Sequence, residues 1–173
     1  MKHIAIFSAF LVVAAPVLAF EIEEIGTMAA TFGDEQIAQP TVIARDGDEA
    51  SSTAFLVVPG GGFSSLSLAG YGSDNARLGV DVTFMSEAPT PETAPIEAIV
   101  TYSPQGTGLH WTSEGAPEAI SIVFTALTSA GDETRATGTF SGQLCYAEGY
   151  GSEADANNCR AIEGSFDTPI TIE

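Results

Sequence analysis

Two cysteines, two histidines and 23 carboxylates are the residues of this sequence that could do covalent, metal or acid–base chemistry. Nucleophilic catalysis by Ser, His and a carboxylate needs an imidazole to take the hydroxyl proton. His3 lies in the first few residues, so only His110 is available, in Leu109-His110-Trp111-Thr112. Gly138-Thr139-Phe140-Ser141-Gly142 has the outline of a nucleophile elbow, but Ser stands fourth instead of third and within a strand pattern, where the elbow needs a strand-to-helix turn. His110 is therefore read as a structural residue. Paired carboxylates could hydrolyse a glycoside. The acidic residues crowd Gly-rich turns, however, where water keeps them ionised and ill suited to act as general acids.

Calcium is the one cofactor the sequence admits, because Ca²⁺ takes carboxylate and carbonyl oxygens. Glu153, Asp155 and Asn157 stand at positions one, three and five of an EF-hand-like spacing. The match fails at both diagnostic points, with Asn158 in place of the sixth-position Gly and Gly164 in place of the bidentate Glu. Gly60-Gly61-Gly62 lacks the following Lys-Ser or Lys-Thr of a phosphate cradle and reads as a turn. Exposed rings can stack on sugar faces, which makes Tyr71, Tyr102, Trp111, Tyr146 and Tyr150, with His110 beside Trp111, the candidate ligand-binding residues.

The start of the chain decides which chemistry the cysteines can do. Met1-Lys2-His3, an apolar run from Ile4 to Ala19 and the small or apolar Val17-Leu18-Ala19 have the three-part pattern of a secretory signal peptide, with cleavage expected before Phe20. The run is shorter than the roughly 20 residues that span a bilayer, and Glu21, Glu23 and Glu24 follow it. Export to a periplasm or the outside, without a membrane span, is the expectation. There thiols oxidise, so Cys145 and Cys159 are expected to form one disulfide. Their spacing is not that of a zinc pair.

Cleavage removes Lys2 and no acidic residue, so the net charge of -18 becomes -19. Nucleic acid and anionic membranes recruit Lys and Arg, and both are excluded as partners. Apolar content of 45% is too high for a disordered acidic tail. Removing 19 of 173 residues leaves 154, the scale of a single domain over residues 20–173.

Two-residue periodicity positions these side chains. Leu78, Val80, Val82 and Phe84 alternate with Arg77, Gly79, Asp81 and Thr83, and Ile96, Ala98, Val100 and Tyr102 alternate likewise. Phe63 to Leu68 fits more loosely. Thr53 to Val58 and Ile120 to Leu127 are nearly continuous apolar stretches, expected of strands covered on both faces or crossing a sandwich centre. Gly and Pro clusters punctuate these runs, and Gly-Asp-Glu at 33–35, 47–49 and 131–133 reads as three acidic turn tips. Ala29 to Ile43 is the nearest approach to a helical pattern. The expected fold is all-β, an antiparallel two-sheet sandwich of roughly eight strands, favoured over a closed barrel.

The last two strands have the sharpest pattern. Ala136 to Leu144 and Ile162 to Thr168 alternate, and placing Cys145 opposite Cys159 puts Phe140 opposite Gly164, Phe166 opposite Gly138 and Ile162 opposite Gly142. Each large apolar side chain then crosses a bare backbone, an arrangement called aromatic rescue where the side chain is a ring.

Met28-Ala29-Ala30-Thr31-Phe32-Gly33-Asp34-Glu35, Gly138-Thr139-Phe140-Ser141-Gly142-Gln143-Leu144 and Ile162-Glu163-Gly164-Ser165-Phe166-Asp167 together form a layout. It resembles that of small exported bacterial β-sandwich proteins, many of them lipoproteins. The likeness spans most of the chain after the leader, but this chain lacks a lipid-acceptor Cys and adds a Cys pair. Such proteins share no agreed activity, so the resemblance implies a fold and a compartment only. The functional expectation is a non-enzymatic exported module that binds a protein or a glycan. The alternative is a glycan-directed hydrolase using an unidentified carboxylate pair.

Overall fold

The computed structural model describes residues 21–73, 75–106, 109–131, 133–149 and 151–173. The expected leader, residues 1–19, and Tyr150 lie outside the described residues. Twelve strands and no helix are found among those described. The first six are β1 (Glu21–Phe32), β2 (Glu35–Asp46), β3 (Glu49–Ser52), β4 (Ala54–Val57), β5 (Ser64–Tyr71) and β6 (Arg77–Phe84). They are followed by β7 (Pro95–Ser103), β8 (His110–Thr112), β9 (Ser121–Thr128), β10 (Arg135–Ala147), β11 (Asp155–Pro169) and β12 (Thr171–Ile172).

The all-β reading holds, but the strands form one sheet. Its hydrogen-bonded order is β12-β4-β5-β6-β7-β8-β10-β11-β1-β2-β3, with β9 also paired to β10. Where two sheets of about eight strands were expected, one sheet of twelve strands is found. The difference comes from short elements. β8 has three residues, too few to leave a period in the sequence, yet it pairs β7 through Tyr102↔Trp111 and β10 through Tyr146↔Trp111. Pairing is antiparallel except between β12 and β4, which run parallel.

Thr53 ties the two ends of the path together. Its N–H donates to Val42 O at 2.9 Å, and its carbonyl accepts from Ala69 N–H at 2.7 Å. The buried Gln39 side chain reaches across from β2, and its Oε1 accepts from Leu78 N–H at 2.7 Å. The sheet thus curls back on itself around one apolar cluster that takes side chains from β1 and β2, from β4 to β11, and Ile170. A buried amide without its partner would cost about 1–3 kcal/mol, which these bonds avoid.

The stretch from Ala29 to Ile43, nearest to a helical pattern, is the β1–β2 hairpin. Gly33-Asp34 forms its two-residue turn, with Gly33 at φ 58. Hairpin turns of this length need positive φ, which Gly adopts without steric cost. Gly47-Asp48 turns β2 into β3 in the same way, with Gly47 at φ 60, whereas Asp132 of the third Gly-Asp-Glu lies outside the described residues.

The terminal hairpin has the expected register at every position named above, including Phe140↔Gly164, Gly138↔Phe166, Gly142↔Ile162 and Cys145↔Cys159. The cysteines form a disulfide with Cα atoms 4.0 Å apart. Phe140 covers Gly164, since a Cβ there would overlap the Phe140 ring tip and Ala29 O. Gly138 stands in the same relation to Phe166. Gly142 differs, because the side chain nearest its missing Cβ is that of Ile120, at 2.8 Å, although Ile162 is its register partner.

Two strands depart from their predicted faces. On β7, Val100 and Tyr102 are buried but Ile96 is 60% exposed. β9 was expected to be covered on both faces or to cross a sandwich centre, yet Val123 is 56% exposed while Phe124 and Leu127 are buried. A register shift between Thr137 and Gly138 leaves Thr125 unmatched, which explains how two residues three apart share one face. Both departures lie where β8 ends and the sheet opens.

Candidate functional site

The aromatic candidates converge, but inward. Tyr102, Trp111 and Tyr146 are direct cross-strand partners on β7, β8 and β10. Phe32 of β1 packs edge-on against Tyr102 and Trp111 at 5.4 and 5.1 Å between centroids, and Tyr146 meets Trp111 at 5.7 Å. Arg160 closes this end, its guanidinium 4.8 Å from the Trp111 centroid and 5.7 Å from that of Phe32. Trp111 keeps 8% of its surface exposed and Tyr102 3%, so the sugar platform expected there is core packing. Rings placed opposite one another on neighbouring strands stabilise the sheet and become unavailable to a ligand.

Tyr102 Oη donates to Glu35 Oε1 at 2.6 Å. Burial, and then the Glu35 carboxylate, push the phenol well above its ordinary value. The unfolded chain therefore releases this proton near pH 10 while the folded chain retains it. Stability contributed by the neutral phenol is full below pH 10 and declines as pH rises through the folded pKa. Alkaline melting should show a decline that begins at about pH 10, and Tyr102→Phe should abolish that component while costing about 1 kcal/mol at neutral pH. An identical alkaline profile in the variant would remove Tyr102 from this role.

His110 is buried, with Nδ1 3.4 Å from Ser103 Oγ. Burial and the Arg77 charge lower its pKa, partly opposed by Glu114. The imidazole is held neutral, and no buried carboxylate stands beside it among the described residues. Every described Asp and Glu is exposed. The Asp167 pKa is lowered, chiefly by the hydrogen bonds it accepts from Arg135 and Thr137. A general acid needs the opposite displacement, produced by burial.

Of the calcium candidates, Glu153 and Asp155 line a small hollow with Tyr146 and Glu148 in the inter-cysteine loop. Asn157 is not among its lining residues. It donates to Asp155 Oδ1 from its backbone N–H at 3.0 Å and from Nδ2 at 3.4 Å. That carboxylate oxygen is engaged in a local turn, and no group of three or more His, Cys, Asp or Glu positioned to hold a metal occurs among the described residues.

Tyr71 alone of the described aromatic candidates faces water substantially, at 42% exposure. It ends β5 opposite Arg77, whose guanidinium lies 5.7 Å from the ring centroid. The ring borders a groove of about 770 Å³. Pro40 and Val42 of β2 line the groove with Ile22 and Glu24 of β1, Thr53, and Ser73 just after β5. Ala38, Pro40 and Val42 share a face because residues two apart in a strand do. Ile22, at 62% exposure, opposes Ala44 on the adjoining strand. The groove is apolar with a few polar groups at its margin, the usual make-up of a ligand site.

Sequence reasoning had singled out Tyr71 but missed its neighbours. The available signal was the run of apolar residues at positions 38, 40, 42 and 44, opposite in phase to the buried Ile37, Gln39 and Thr41. Comparison with protein-family models, with curated proteins and with solved structures finds no match to this chain. The described residues contain no helix long and apolar enough to cross a membrane.

Proposed function

We propose that this protein is an exported, acidic, non-enzymatic binding module of the periplasm or extracellular space, built like the small bacterial envelope proteins its layout resembles. The observation that carries the reading is the groove of Ile22, Pro40, Val42 and Tyr71 on a molecule whose described carboxylates are all exposed. Aliphatic and aromatic side chains there suit an apolar segment of a protein partner better than a sugar, whose hydroxyls need more polar partners. The apolar leader pattern and the Cys145–Cys159 disulfide support an oxidising destination. The runner-up, a glycan hydrolase, has no described acid held in the environment such chemistry needs.

The test is a titration of the oxidised protein with the neutral apolar dye Nile red and with a neutral hexasaccharide. Dye binding that is lost in Ile22→Ser and in Tyr71→Ser is expected. Both changes are at exposed positions, so stability should move by no more than about 0.5–1 kcal/mol. Dye binding unaffected by both substitutions, or cleavage of the oligosaccharide, would overturn the reading.

A further inference from the structure

We propose that the outer edge of β9 receives an extended, basic segment of another protein as an added strand. β9 pairs β10 on one side through the register Ser121↔Ser141 to Thr128↔Arg135. Among the described residues no strand pairs its other side, and no turn or loop bond engages its backbone N–H and C=O groups there. Unpaired strand edges invite pairing, and proteins usually blunt them with shortness, charge or Pro.

This molecule blunts its other edges. β3 ends the path with four residues including Glu49, and β12 ends it with two. The unpaired half of β7 contains Pro95 and Glu97. β9, by contrast, is Ser-Ile-Val-Phe-Thr-Ala-Leu-Thr, eight residues without charge, Gly or Pro. A blunted edge elsewhere and an open one here distinguish β9 as a place where pairing is permitted.

The surroundings define what would pair. A hollow of about 510 Å³ lies beside the start of β9, bounded by Pro95 to Ala98 on one side and by Pro117, Ala119 and Ile120 on the other. In strand addition the main-chain bonds supply affinity and such hollows take alternate side chains. Glu97 lines it, and Glu114 and Glu118 stand exposed on the loop between β8 and β9. At the far end of β9, Arg135 opposite Thr128 is already paired with Asp167 at 2.7 Å. An incoming strand with Lys or Arg beside β-branched residues would meet complementary charge. A second copy of this chain carries the same net charge of -18, and repulsion between like-charged molecules disfavours self-pairing.

The probe is a peptide of about ten residues alternating Val and Lys, the length of a long strand, added to the oxidised protein and read by hydrogen exchange. The amides of Ser121–Thr128 should slow on addition, and the effect should fade at high salt. A Val and Glu peptide should leave them unchanged. The double substitution Glu97→Lys and Glu118→Lys, both at exposed sites, should weaken binding about tenfold or more without changing the melting curve. Val123→Lys, which blunts the edge itself, should weaken it independently. The proposal falls if the peptide fails to bind, if it protects other amides and not those of β9, or if sedimentation shows a dimer that already protects β9 without peptide.

Discussion

Replacing Phe140 with Ala should lower the unfolding free energy by about 3–5 kcal/mol, the range for removing a buried ring. The side chain is 1% exposed and lies where a Cβ on Gly164 would stand. Its removal leaves a cavity and uncovers the Gly164 backbone at once. The reciprocal change, Gly164→Ala, drives a methyl into the ring tip and into Ala29 O, so it too should destabilise. Combining the two should recover part of the loss, with coupling of about 0.5–3 kcal/mol. Recovery should stay incomplete, because the new Cβ still meets the Ala29 carbonyl. Chemical denaturation of the four proteins measures the cycle. A loss below about 1 kcal/mol for Phe140→Ala would show that the ring is not covering the backbone as described.

Reduction of Cys145–Cys159, or the pair of substitutions to Ala, should cost about 3 kcal/mol, since the bond closes a loop of about 15 residues in the unfolded chain. For a chain of this size that corresponds to a fall of about 6–12 °C in Tm. The strand content of the folded state should be retained. Register pairs from Arg135↔Pro169 to Leu144↔Arg160 hold the hairpin without the sulfurs, and β1 and β9 flank it on either side. Circular dichroism in excess reductant, followed through melting, reads both quantities. A melting curve that does not move would show that the unfolded chain is already confined by other means.

These predictions bear on function because the hairpin is the scaffold for everything else. β10 carries Tyr146 into the aromatic row and Cys145 into the staple, and it presents its outer side to β9. A loosened hairpin would therefore disturb the β9 edge before the groove at Tyr71, which rests on β1, β2 and the end of β5. Comparing dye binding with peptide binding after reduction separates the two surfaces.

The terminal hairpin was legible to the residue. A two-residue period, the cysteines and the alternation of Phe with Gly are local in the chain, and one cross-link fixes the antiparallel register from Arg135↔Pro169 to Cys145↔Cys159. Leu78 to Phe84 was legible for the same reason, its inward side chains being essentially fully buried as the alternation predicts. Acidic turns at Gly33 and Gly47 followed from the conformational freedom of Gly. The sequence by itself thus determined the strand type, the chief turns, the disulfide and the exposed acidity.

Tertiary structure alone decided the rest. A three-residue β8 leaves no periodic trace, yet it joins the two halves of the sheet and carries Trp111 into the interior between Tyr102 and Tyr146. Whether an aromatic ring packs or binds depends on which strands lie beside it, and those partners are distant in the chain. Ile22, Pro40, Val42 and Tyr71 become one groove through the pairing of β1 with β2 and the Thr53 bridge to β5. The apolar run of β9 is equally compatible with a covered strand and an open edge, because burial is a property of neighbours and not of the segment. Local periodicity specifies a strand's two faces; only long-range pairing determines what covers each face and which edge is left open.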